Sequence, residues 1–89
     1  MTMQERIEAQ LKAALDPVEL EVVDDSGKHA GHSGARAGGE THYSVAVVSA
    51  AFVGKSKVQR HRLIYAALAA EIADGVHALA IEAYAPGET

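Results

Sequence analysis

The stretch FVGKSKVQRHRL holds the residues best placed to do chemistry by charge: Lys55, Lys57, Arg60, His61 and Arg62 fall within eight positions. No Asp or Glu occurs from Thr41 to Ala70, although the whole chain carries a formal charge of -4 at pH 7. A concentrated cationic segment on an acidic chain is a binding-surface signal, because solubility alone is served by mixed charges. At the start of a helix these cations could contact phosphates. They could equally dock a partner protein, or form a solvated helix face with Arg60 or Arg62 paired to acids of the first strand.

A second set of candidates is the histidines. His29 and His32 lie three apart in a polar stretch, His42 opens an apolar alternation, and His77 precedes another. Imidazole suits zinc, copper and iron. On spacing alone, His29, His32 and His42 read as solvated residues as readily as ligands. His77 reads as a strand-edge residue or as a cap on the preceding helix, whose C-terminus favours partial positive charge. A closed structural zinc site takes four ligands, and the spacing does not announce four.

The chain has no cysteine. Disulfides, thiolate catalysis and cysteine-only metal sites are therefore excluded, and any thiolate must come from a partner. None of Ser26, Ser33, Ser44, Ser49 and Ser56 stands in a G-x-S-x-G context, so serine-based nucleophilic catalysis has no local signature. Enzymatic activity is not expected.

Eighty-nine residues make one domain, 1–89, and a chain of this size buries only about 60–65% of its unfolded surface. That leaves room for a binding surface and little for a deep enclosed site. The N-terminus lacks a basic-then-apolar leader, and no apolar run approaches ~20 residues. The expected location is cytoplasmic, with no membrane contact.

The elements that must position these residues follow from periodicity. Thr2 and Glu5 have capping-box spacing, and Ile7, Leu11, Ala14 and Leu15 share a helical face. Pro17 stops this helix and biases Asp16 toward an extended conformation. A strand is expected from Val18 to Asp24, with Val18, Leu20 and Val22 alternating with Glu19 and Glu21. Residues 25–41 are rich in glycine and read as a long flexible loop. A second strand runs from His42 to about Ser49. Ser56 with Gln59 forms another capping box, opening a helix to about Asp74 that breaks near its first turn. Ile64, Leu68 and Ile72 mark its buried stripe, and Gly75 stops it. A third strand spans Ala78 to Ala83, and the tail, residues 85–89, reads as frayed. The order α-β-β-α-α-β describes an α+β domain. Its three-stranded mixed sheet has helices on one face, and the third strand lies parallel to a neighbour.

FVGKSKVQRHRLIYAAL, followed by GVHALAIEAYAP, resembles the BolA family. Phe-x-Gly, Arg-His-Arg and Val-His-Ala-Leu carry the resemblance, which covers nearly all of the chain. It implies a KH-like layout and, for function, a partnership with a monothiol glutaredoxin around a bridging 2Fe–2S cluster. In that arrangement the BolA partner gives one histidine from the Val-His-Ala region and a histidine or cysteine from the loop between the first two strands. His77 matches the first. His29 matches the second, since it follows Asp24-Asp25-Ser26 at about the family interval. His32 is the fallback, because this loop is longer and richer in glycine than the family pattern. His42 matches a position read as structural. The glutaredoxin and glutathione would supply the thiolates. Two imidazoles in place of two thiolates raise a cluster's potential, and they must be neutral to bind, so acid weakens the site.

The same resemblance implies a second role, DNA-binding transcriptional regulation through Lys55, Lys57, Arg60, His61 and Arg62. The KH module clamps nucleic acid with a GXXG loop. Here Gly54 is followed by Lys55-Ser56-Lys57 without a second glycine, and Gly31 to Gly34 falls in a different loop. Aromatic platforms of the kind used by single-strand binders are also missing from the segment. Phe52 and Gly54 read as structural, anchoring a strand end and allowing a tight turn. Alone, the chain is expected to be a monomer or weak homodimer.

Overall fold

The computed structural model describes residues 1–25 and 42–89. The expected long loop, with His29 and His32, therefore lies outside the described residues. Helix α1 spans Met3–Leu15. Its capping box forms as the sequence implies: Thr2 Oγ1 accepts from the Glu5 N–H at 3.1 Å, and Glu5 Oε1 accepts from the Thr2 N–H at 2.9 Å. Ile7, Leu11 and Leu15 are buried, but Ala14 is exposed. It flanks the stripe whose centre is set by the larger side chains. Asp16 is not extended. It adopts the left-handed conformation (φ 44°, ψ 57°) and its N–H donates to the Lys12 carbonyl. Pro17 disfavours only the right-handed helical region for Asp16, and Asp tolerates the left-handed one better than most residues.

Strands β1 (Glu19–Asp24), β2 (His42–Val48) and β3 (Ala78–Tyr84) form one sheet in the order β1-β2-β3. β1 pairs antiparallel with β2, and β2 pairs parallel with β3. This is the expected mixed sheet. Tyr43, Val45 and Val47 point into the core together, as their alternation demands. Val18 stays outside β1 and is exposed, though its N–H still donates to the Val48 carbonyl.

Between β2 and β3 the chain makes a 3₁₀ turn at Ala50–Phe52, then helices α2 (Lys57–Ala67) and α3 (Ala69–Ala73). The break lies at Leu68, not near the first turn of α2. Leu68 sits there fully buried with φ -103° and ψ 15°. The hydrogen-bond ladder continues across it, from the Leu68 N–H to Ile64 and from the Ile72 N–H to Leu68. Ile64 and Leu68 join Ile7, Leu11, Val22, Tyr43, Val45, Val47 and Phe52 in one core between helices and sheet.

The next member of the buried stripe is Glu71, not Ile72: Glu71 is 1% exposed. A carboxylate in that place requires a partner. Arg6 of α1 supplies it, with Nη2 3.0 Å from Glu71 Oε2 and 2.7 Å from Asp74 Oδ2. Among the described residues Glu71 Oε1 has no hydrogen-bond partner. The ion pairs therefore tie α1 to α3 across the core boundary.

Both outer strands of the sheet have a carbonyl capped by a side-chain donor. Gln4 Nε2 donates to the Val22 carbonyl of β1 at 3.0 Å, and Arg60 Nη1 to the Ala83 carbonyl of β3 at 3.1 Å. Such capping blunts sheet edges against pairing with another chain.

Candidate functional site

Two separate places on β3 collect the residues singled out by the sequence. At its N-terminal end stands His77, exposed, immediately before Ala78. Ala78 is in register with His42 at the start of β2. The C-terminal end of β1 lies at the same edge of the sheet, where the Asp25 N–H donates to the His42 carbonyl at 2.8 Å and Ser44 Oγ donates to the Asp25 carboxylate. Asp25 thus extends the sheet pairing by one residue before the loop. The residues that bracket the loop and the candidate ligand His77 therefore share one end of the sheet. Among the described residues, no group of three or more His, Cys, Asp or Glu could hold a metal ion.

The cationic site lies toward the other end of β3, about 20 Å from His77 at ~3.3 Å per strand residue. Gly54 (φ 75°) turns the chain out of the 3₁₀ turn, and the Ser56–Gln59 capping box starts α2. Lys55, Lys57, Arg60 and His61 then line a cleft of about 690 Å³ against Ile81–Tyr84 of β3. Arg62 is exposed on α2 and does not line it. The structure thus brings four of the five basic-segment residues together.

Arg60 is not a solvated cation, and it does not pair with strand β1. Its Nε donates to the Lys55 carbonyl at 3.0 Å, and its guanidinium stands 5.9 Å from the centroid of the buried Phe52 ring. It forks onto Glu88, with Nη1–Oε1 at 2.5 Å and Nη2–Oε2 at 2.9 Å. Glu88 Oε1 also accepts from the Ala85 N–H at 2.9 Å. Arg60 and then the Ala85 amide push the Glu88 carboxyl down to about 2.

The tail is consequently not frayed at Ala85–Glu88. The Glu88 N–H donates to the Ala85 carbonyl at 3.1 Å, and Gly87 has φ 92°. Ala-Pro-Gly-Glu is a type II turn sequence, with proline at its second position and glycine at its third. That local signal was sufficient to place the turn, but not to show which cation Glu88 would meet.

Sequence reasoning also missed Ser49. It is fully buried. Its Oγ donates to the Leu15 carbonyl at 2.6 Å and accepts from the Ala51 N–H at 3.1 Å, while its N–H donates to the Tyr84 carbonyl at 3.0 Å. The side chain of this one residue joins the end of α1 to the 3₁₀ turn, and its backbone N–H ties both to the end of β3, at the point where the chain leaves the sheet for the basic segment.

Comparison with known proteins adds to this geometry. Residues 11–88 match the BolA-like protein family. The chain is 48% identical over 84 residues to the DNA-binding transcriptional regulator BolA of Escherichia coli, spanning 94% of this chain and 76% of that protein. It is 53% identical over 87 residues to the chloroplastic/mitochondrial SufE-like protein 1 of Arabidopsis thaliana, covering 93% of this chain but only 24% of that protein. Among solved structures, BolA1 from Arabidopsis thaliana superposes with a TM-score of 0.89 at 42% identity, covering 100% of this chain and 97% of that one. By sequence over most of its length and by fold, the chain belongs to the BolA-like protein family.

Proposed function

We propose that this chain is a non-enzymatic accessory protein that pairs with a monothiol glutaredoxin and holds a shared 2Fe–2S cluster, using His77 and a histidine of the 26–41 loop, His29 or else His32. The observation that carries the reading is the exposed His77 at the sheet end from which that loop departs and to which it returns. Reach is adequate. His29 is four residues from Asp25, which permits ~14 Å of chain. The span from β1 to β3 is two strand spacings, about 10 Å. His32 is also within reach of both loop ends, so chain length admits either ligand. A cysteine-free chain supplies at most the imidazole half of such a site, which makes the partner obligatory. When bound, the cluster would supply one-electron redox chemistry or be cargo for transfer. The chain's own part is to present neutral imidazoles and to orient the partner.

The test is co-purification with a monothiol glutaredoxin, glutathione, iron and sulfide without oxygen, followed by visible absorption and circular dichroism. The reading expects a spectrum distinct from that of glutaredoxin alone, lost with His77→Ala. A spectrum indistinguishable from glutaredoxin alone would sink it.

A second reading, DNA-binding regulation, is favoured by the cluster of Lys55, Lys57 and His61 in one cleft and by the printed name of the Escherichia coli relative. Arg60 serves it poorly while its fork holds Glu88. This reading predicts affinity that falls with salt by a slope of about 0.9 per phosphate contacted, and the shared-cluster reading predicts indifference to moderate salt.

A further inference from the structure

We propose that the cleft between the start of α2 and β3 is a phosphate-binding site, and that Glu88 of the chain's own C-terminal turn is its built-in, displaceable occupant. The site already holds one oxyanion. Arg60 grips the Glu88 carboxylate through two parallel N–H···O contacts, a fork that fits carboxylate and phosphate alike.

The two partners are not held equally. The Arg60 side chain is only 13% exposed. The Lys55 and Ala83 carbonyls and the Phe52 ring hold it in place whether or not Glu88 is there. Glu88 is 41% exposed and rides on a single turn. The receptor is therefore preorganised, and the occupant is the part that can leave.

The surroundings favour more charge than one carboxylate provides. Lys55, Lys57 and His61 face the same cleft, and among the described residues none of the three forms an ion pair. Glu82 is the other carboxylate on the lining. At about 690 Å³ the cleft is also far larger than a carboxylate needs and falls within the range of small-molecule sites. A phosphate group would take the Arg60 fork, gain the two lysines, and release Glu88 to solvent. Because the ligand must first displace an internal competitor, its apparent affinity is lowered by the fraction of time the latch is open. The site is independent of the His77 end of β3, so its failure leaves the cluster-sharing reading untouched.

The test is a ¹⁵N-resolved NMR titration of the full chain with inorganic pyrophosphate at constant ionic strength, using wild type, Glu88→Gln and Arg62→Gln. In Glu88→Gln the amide oxygen of the new side chain can still accept the Ala85 N–H, so the turn survives while the charge is lost. The expected result is saturable shifts at Lys55, Lys57 and His61 together with Ala85 and Glu88. Binding should be about three- to ten-fold tighter in Glu88→Gln and unchanged in Arg62→Gln. Competition by a nucleoside monophosphate or by a short DNA duplex then identifies the source of the phosphate, and displacement by either upholds the site. Binding to Glu88→Gln no tighter than to wild type would overturn the proposal. So would lysine shifts with no response at Ala85 and Glu88, or a loss of binding in Arg62→Gln.

Discussion

Replacing Ser49 by alanine removes one oxygen and tests whether this buried junction holds the basic segment in place. The Leu15 carbonyl is among the last four of α1, which have no intrahelical donor. Ser49 Oγ satisfies it at 2.6 Å in a buried position. Without the hydroxyl that carbonyl is orphaned, at a cost of about 1–3 kcal/mol. The Ala51 N–H also loses its acceptor, a capping loss of about 1 kcal/mol that water partly restores, because Ala51 is exposed. The net expectation is a loss of about 2–3 kcal/mol. For a domain of this size that is roughly 8–24 °C in Tm. Urea unfolding monitored by far-UV circular dichroism should show a lower midpoint with an unchanged m-value. The internal control is Ser56→Ala, which removes the exposed half of a capping box in which Ser56 Oγ accepts from the Gln59 N–H and should cost about 1 kcal/mol or less. If Ser49→Ala were no more costly than Ser56→Ala, the junction would not be what organises the end of the sheet.

Three further outcomes are expected. Gly54→Ala should cost about 1 kcal/mol in denaturant unfolding. The penalty comes from the backbone alone, since φ is 75° and nothing lies within 4 Å of the added Cβ. Asp16→Gly should stabilise by up to about 1 kcal/mol by relieving the left-handed cap at φ 44°, seen as a raised Tm. The Arg60–Glu88 latch should persist far into acid. The Glu88 carboxyl is lowered to about 2 in the fold, so its stabilisation is fully present above the ordinary carboxylate range and disappears only as pH falls toward 2. The Ala85 amide shift, followed by NMR from pH 7 downward, should change near pH 2. A change near pH 4.5 would show that the carboxylate is not held.

Much of this fold was legible because its signals are local. Both capping boxes are short local patterns that formed as written, and the alternation of Tyr43, Val45 and Val47 fixed which face of β2 is dry. Failures occurred where a residue's conformation or burial depends on something distant. Glu71 occupies an apolar stripe because Arg6, 65 positions away, neutralises it. Ser49 read only as the end of the second strand, because the acceptor that gives it its role is on α1. Asp16 shows that a rule excluding one backbone region does not say which of the others is taken. At the basic segment, the sequence marked the cations but could not reveal that Arg60 is committed to Glu88 and Ala83. The position of His77 was legible from the Val-His-Ala-Leu motif and the strand that follows it. Its proposed partner lies in residues that no periodicity constrains.

The central claim is histidine ligation of a shared cluster, and the most direct measurement is pulsed electron paramagnetic resonance of the reduced complex. The chain would be labelled with ¹⁵N-histidine and paired with unlabelled monothiol glutaredoxin and glutathione. The account predicts hyperfine coupling from two labelled imidazole nitrogens, one of them lost with His77→Ala and the other with His29→Ala or His32→Ala. A reduced cluster with no ¹⁵N coupling from this chain would be held by thiolates alone, and would contradict the account.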